Sequence, residues 1–275
     1  SPALLVVDPT TQMLYASRMM SMMEMSGGEA SEISVIDYSS GEPVLESAIN
    51  LAQGEDIVAF PEPHALSIGF ETTRGTLLAT ASLTTDWFSM ITLGGSQPLV
   101  TPFPFNEGEV APPQDPINEL QAKQSAQKDD HIFFSCSGND VGIDGQVQSW
   151  SVLFQTKENT FMDFETESAK PWHIVASPTT NEIFVALRGT SNGDGGVACL
   201  RYDDNGTLTK KWETTNSSFS MIHGVAVSGD GQSVYASSAG DGKIHIFASE
   251  DGTLIASRSA ADMQATGIAI TQSIE

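Results

Sequence analysis

Cysteine is scarce in this chain: two in 275 residues leave no room for a disulfide framework. Cys136 and Cys199 fall on different sequence repeats, so they read as separate buried thiols. Cations are scarce too, with 12 Lys and Arg against 35 Asp and Glu and a formal net charge of -23. A phosphate backbone would be repelled rather than neutralised, which argues against nucleic acid or an anionic membrane surface as a partner. The acidity itself reads as a solvated surface that keeps an extracellular or high-salt protein soluble. No apolar run reaches the roughly 18 residues of a spanning helix, so no membrane span is expected. No G-x-S-x-G nucleophile elbow is expected, and the H-E-x-x-H, C-x-x-C and phosphate-loop patterns are absent, which removes the commonest catalytic, metal, redox and nucleotide sites. Asp203-Asp204-Asn205-Gly206 and Asn192-Gly193-Asp194-Gly195 have the composition of calcium loops but no Glu at the closing position, so they read as hairpin turns.

What is there is a repeated unit. From Met221 to Ala260 four short runs rich in β-branched and aromatic residues, HGVAVS, SVYASS, KIHIFAS and TLIASRSA, are separated by Gly229-Asp230-Gly231, Gly240-Asp241-Gly242 and Asp251-Gly252. Glycine turns between alternating strands predict a four-stranded meander. One such meander leaves an apolar face uncovered, so recurrence decides the fold. The run Val7–Ser17 matches Val227–Ser237 at an offset of 220, Ala176–Val185 fits at 169, and fainter copies begin at Leu77 and Ile132, at 63 and 118. Successive copies therefore stand 63, 55, 51 and 51 residues apart. Four-stranded repeats at about 40 to 50 residues predict an all-β fold, a β-propeller of antiparallel blades.

The blades are expected at 3–51, 64–105, 119–166, 172–215 and 221–260, in one propeller domain, with 266–271 as the first strand of a further blade. Blade one carries an insertion, Met19-Met20-Ser21-Met22-Met23-Glu24-Met25, and a proline-rich surface loop from Glu107 to Pro116 follows blade two. Blade three opens on ELQAKQSAQ, whose polarity suits a short helix as well as a strand. Both ends of the chain read as first strands, so the expectation is that this chain is part of a longer protein. Ser1–Val7 has no basic leader, as expected of a chain from which a signal peptide has been removed.

The phrases HGVAVSGDGQSVYASSAGDGKIHIF and HIVASPTTNEIFVALRGTSNGDGGVACLRYDDNGTL resemble the YVTN and lactonase-type propeller repeats. That superfamily takes in six-phosphogluconolactonase and the fungal carboxymuconate cyclase, besides many secreted proteins without demonstrated chemistry. The likeness is good over blades one, four and five, loose over two and poor over three. It implies seven blades in a complete ring. It also implies that an arginine in a phrase like Leu187-Arg188-Gly189 belongs to a pocket for an anionic sugar or dicarboxylate, a task suited to the planar fork of its guanidinium.

The candidate residues gather at strand ends. His64, His173 and His223 open first strands, where imidazoles serve as metal ligands or as acid and base; the alternative is that they hydrogen-bond within their repeats. Strand parity speaks for that alternative, because the gaps to the aligned turn residues Glu71, Ser177 and Ser228 are 7, 4 and 5 and should not leave all three rings on one side. Arg18 and Arg188 end second strands and are candidates for holding an anion, with Trp172 as a neighbouring ligand-binding residue. Met19, Met20, Met22, Met23 and Met25 suit Cu(I) by their soft thioethers, or a protein contact by their adaptable packing. Asn205 and Asn216 satisfy the glycosylation pattern, which with abundant Ser and Thr points to a secreted, periplasmic or cell-surface location.

These readings lead first to an exported propeller that binds a ligand or protein without catalysis, as a subunit of a larger surface or envelope assembly. The alternative is a lactonase or muconate-type cyclase acting on an anionic lactone, with Arg188 or Arg18 holding the anion and His173 or His223 moving the proton. A third reading is a copper-handling propeller that uses the methionine loop. No other cofactor is expected.

Overall fold

The computed structural model describes residues 2–18, 32–52, 62–72, 75–105, 120–138, 145–152, 160–164, 170–259 and 266–270. Among these there are twenty strands and no helix. The first sheet holds β1 (Pro2–Asp8), β2 (Met13–Arg18), β3 (Glu32–Asp37) and β4 (Val44–Asn50). The second holds β5 (Pro63–Thr72), β6 (Gly75–Ser82), β7 (Trp87–Thr92) and β8 (Leu99–Pro104). The third is β9 (Ala122–Lys128), β10 (His131–Cys136), β11 (Gly145–Ser151) and β12 (Thr160–Phe164). The fourth is β13 (Pro171–Ala176), β14 (Glu182–Leu187), β15 (Gly195–Tyr202) and β16 (Leu208–Asn216). The fifth is β17 (Ile222–Val227), β18 (Ser233–Ser238), β19 (Lys243–Ala248) and β20 (Leu254–Ser259). Every sheet runs in sequence order, the meander that the glycine turns predict.

Two compact units divide the chain, Ser1–Asp129 and Asp130–Glu275. In the first, Tyr15, Ile33, Val35 and Ile49 of sheet one pack on Leu66, Leu78, Trp87 and Ile91 of sheet two. In the second, Phe184, Val197 and Cys199 of sheet four pack on Ile222, Val225, Val234 and Phe247 of sheet five, with Phe219 between them. Each fully buried side chain of this size contributes about 1.5–3 kcal/mol, so the apolar faces of neighbouring meanders hold one another in place. The fourth strands add little to these cores, Ile49 of β4 and Val100 of β8 to the first; otherwise β4 and β20 are almost wholly exposed.

Acidic residues shape the turns. Asp251 accepts from the Thr253 backbone N–H and Asp203 from that of Thr207, and these bonds hold both carboxyls below their usual range. Gly252 takes φ 74 in the last turn, and a β-carbon there would stand 2.6 Å from the Trp212 ring.

Several expectations are settled by the coordinates. The polar run opening the third repeat is a strand, β9. Its polar side chains find partners on sheet two, Ser125 Oγ on Ser67 Oγ at 2.8 Å and Gln127 Nε2 on the Ser67 carbonyl at 2.9 Å. Cys136 and Cys199 are buried and not joined in a disulfide, and burial pushes the Cys199 thiol up to about 12. Of the strand expected over 266–271, the described residues 266–270 carry no ladder and are mostly exposed. Gly267 and Ile268 run close beside Gly224 of β17. The methionine insertion and the proline-rich loop lie outside the described residues.

Candidate functional site

First strands enter their sheets through a one-residue bulge. Between Pro171 and Ile174 strand β13 takes three steps while β14 takes two, and between Ile222 and Gly224 strand β17 takes two steps while β18 takes one. The same extra residue occurs at Pro2/Leu5 and Pro63/Ala65. A bulge re-aims the side chains beside it and cancels any count of alternation across it. His173 lies inside the first of these shifts and His223 inside the second. Their opposite parity therefore does not separate them: the ring centroids are 4.8 Å apart, edge to face.

Four of the sequence candidates meet here. Trp172 Nε1 donates to His223 Nε2 at 2.6 Å, and the two rings stand 5.3 Å apart. The Arg188 guanidinium lies over the Trp172 ring, its central carbon 4.5 Å from the centroid, a stacking worth about 0.5–2 kcal/mol. Arg188 Nε is buried and has no hydrogen-bond partner among the described residues. The backbone around it is fixed at both ends, Arg188 N–H donating to the Lys170 carbonyl at 2.8 Å and Ile222 N–H to the Arg188 carbonyl at 2.9 Å. The last bond joins the arginine's sheet to the strand that carries His223.

An indole N–H can only donate, so the nitrogen of His223 that faces it must accept. This makes His223 a neutral imidazole with its proton on Nδ1. Beside it stand an aromatic platform, a cation and a second imidazole, a set able to bind a planar anion and move one proton.

The remaining candidates are placed elsewhere. His64, in the first unit, bonds through Nδ1 to the Lys123 carbonyl at 2.8 Å. The Arg18 backbone pairs with Pro2, but its side chain lies outside the described residues, as do Met19, Met20, Met22, Met23 and Met25. Asn205 and Asn216 are exposed, and the Asn216 side-chain oxygen accepts from the Ser218 N–H and hydroxyl at 2.9 and 2.8 Å. No group of three or more His, Cys, Asp or Glu suited to a metal ion occurs among the described residues. Gly189-Thr190-Ser191-Asn192-Gly193 spells G-x-S-x-G, yet it forms the turn between β14 and β15, with no helix after it to make a nucleophile elbow.

Sequence reasoning missed a serine that supports the site. Ser135 Oγ donates to the Trp172 carbonyl at 2.5 Å and pins the bulge from the preceding sheet. Ser17 Oγ makes the matching bond to the His64 carbonyl at 3.0 Å, and Ser237 Oγ accepts from Gly224 N–H at 3.0 Å. The signal was a hydroxyl two residues after the aligned aromatics Tyr15, Phe133 and Tyr235.

No family model matches the chain, and none of the curated proteins does. Solved structures do. A protein from Lactobacillus plantarum gives a TM-score of 0.68 at 17% identity, over 94% of this chain and 71% of that one. A Bacteroides uniformis protein assigned as a 6-phosphogluconolactonase gives 0.63 at 19%, over 92% and 69%. The periplasmic gluconolactonase of Pseudomonas aeruginosa gives 0.65 at 13%, over 94% and 72%. At such identities the likeness carries the fold and not the activity. The likeness shows an all-β, propeller-like fold.

Proposed function

We propose that the chain binds a lactone bearing an anionic group at Trp172, His173, Arg188 and His223, and opens its ring. One observation carries the reading: a guanidinium stacked on an indole that in turn orients a neutral histidine, with a second histidine in ring contact. The fold shared with two lactonase-assigned proteins supports it.

In this reading Arg188 holds the anion against Trp172. His173 takes a proton from water as the water oxygen attacks the lactone carbonyl carbon. The ring C–O bond then breaks, the ring oxygen takes up a proton, and an open hydroxy acid leaves. His223, with its proton on Nδ1, donates a hydrogen bond to oxygen rather than acting as the base. Exposed Asn205 and Asn216, both available for glycosylation, support an exported location as part of the same proposal.

The test is lactone hydrolysis followed by pH-stat, with 6-phosphogluconolactone as the anionic substrate and gluconolactone as the neutral one. Loss of a charge-assisted contact of about 1.5–3 kcal/mol should lower kcat/KM for the anionic lactone roughly 10- to 150-fold in Arg188→Ala. The neutral lactone should be less affected. Absence of turnover by the wild type, or equal turnover by the variant, defeats the proposal.

A second reading, a non-catalytic assembly module, is favoured by Val44 and Leu45 on β4, which are 57% and 68% exposed. Replacing both by Ser should dissociate any assembly seen by native mass spectrometry; an assembly unchanged by the double variant removes this reading.

A further inference from the structure

The repeats can be compared row by row across their strands. In sheet four, Phe184 pairs with Cys199 and Cys199 with Trp212, immediately before the bulge between β15 and β16. In sheet one, Tyr15 pairs with Val35 and Val35 with Ser47, immediately before the bulge between β3 and β4. The bulges align the rows, so Ser47 stands where sheet four has Trp212.

The indole in sheet four has a defined task. Its ring centroid lies 6.0 Å from that of Phe184, and its Nε1 donates to the Ser249 carbonyl at 3.0 Å, in the turn between β19 and β20 of the neighbouring sheet. Gly252 of that turn faces the ring. Trp212 thus fills the gap between a sheet's outer half and the neighbour's last turn. In the first unit the equivalent turn is 93–98, between β7 and β8, and a serine side chain is too short to reach it. A cleft of about 470 Å³ stands there, lined by Tyr15, Val35, Ser47, Ile49, Leu93 and the turn Gly94–Pro98.

The lining defines the ligand. Tyr15, Val35 and Ile49 belong to the core between sheets one and two and Leu93 packs against it, so one wall is apolar. None of the lining residues is Asp, Glu, Lys or Arg, although the chain is strongly charged, so an ionic ligand would be left unpaired. Burial holds the Tyr15 hydroxyl above its ordinary pKa, which keeps it neutral. The peptide groups of the turn supply acceptors at the position where sheet five offers the Ser249 carbonyl to Trp212. Clefts of a few hundred Å³ with an apolar wall and a few polar groups are the usual form of small-ligand sites.

We infer that this cleft binds a small neutral aromatic ring carrying an N–H or O–H donor, of the indole or phenol class, seated where the indole of Trp212 sits in sheet four. The site shares no residue with the proposed lactone site, so the two stand or fall separately.

Indole and phenol titrated into the full chain, followed by saturation-transfer NMR, test the inference. Saturable binding is expected for wild type and for Arg188→Ala alike. Ser47→Trp should restore the sheet-four arrangement, raise Tm and weaken indole at least about tenfold. Ser47→Phe, a smaller plug, should weaken it as well and serves if the tryptophan variant does not fold. Trp212→Gly should open a second cleft and raise the indole stoichiometry. The inference is overturned if neither compound binds saturably, if a folded Ser47 variant binds indole as wild type does, or if Arg188→Ala abolishes binding.

Discussion

Replacing Trp172 by Phe separates two tasks that one side chain performs. The benzene ring still offers Arg188 a face, but the donor to His223 Nε2 at 2.6 Å is gone. A neutral hydrogen bond contributes about 0.5–1.5 kcal/mol, so the indole favours the Nδ1–H tautomer of His223 roughly two- to tenfold. Its loss should lower kcat by about that factor and leave KM for an anionic lactone nearly unchanged, because Arg188 keeps its platform. Trp172→Ala removes the platform as well and should raise KM too. The tautomer is readable without turnover, from long-range proton–nitrogen correlations of ¹⁵N-labelled histidine. The His223 pattern of the wild type should be that of Nδ1–H and should become mixed in Trp172→Phe. A wild-type spectrum showing His223 protonated on Nε2 would refute the reasoning, as would an unchanged kcat in an otherwise active variant.

Other outcomes follow from the same coordinates. His245 is buried beside Phe219, with Ser257 Oγ at 2.8 Å from Nδ1 and Asp241 at 3.3 Å from Nε2. Burial lowers its pKa below 6.5 despite the opposing pull of Asp241. The unfolded chain then binds the proton first as pH falls, so stability should drop from about pH 6.5 down to the folded value, and His245→Gln should flatten that slope in urea titrations. Asp241, whose own pKa is lowered, acts in a separate window below its ordinary 3.8. Trp212→Ala should cost about 3 kcal/mol in denaturant unfolding, whereas Ser47→Ala should stay within roughly 0.5 kcal/mol; equal costs would contradict the row comparison. Cys199, fully buried and held near pKa 12, should react with a thiol reagent only as fast as the protein unfolds.

The meanders were legible because each turn is marked by glycine or aspartate and each strand by β-branched and aromatic residues, as in Met221–Ala260. The strand β9 was ambiguous because its burial is of polar pairs, Ser125 on Ser67 and Gln127 on a backbone carbonyl, which no hydrophobic pattern records. Trp172, His173, Arg188 and His223 were each visible as strand-end residues. Their meeting was not, since a bulge leaves no mark in a single sequence and reverses the parity that alternation would assign. The contrast between Ser47 and Trp212 lay in the sequence throughout, but the rows align only once the bulges of β3–β4 and β15–β16 are placed.

The claim that Trp172, His173, Arg188 and His223 form one anion site is tested most directly by the histidine ring resonances of the full chain during titration with 6-phosphogluconate, the open product of the anionic lactone. His173 and His223 should shift together and saturably, His64, His131 and His245 should not, and Arg188→Ala should abolish the response. Ring signals of His173 and His223 that stay in place at saturating product, or that move equally in Arg188→Ala, would contradict it.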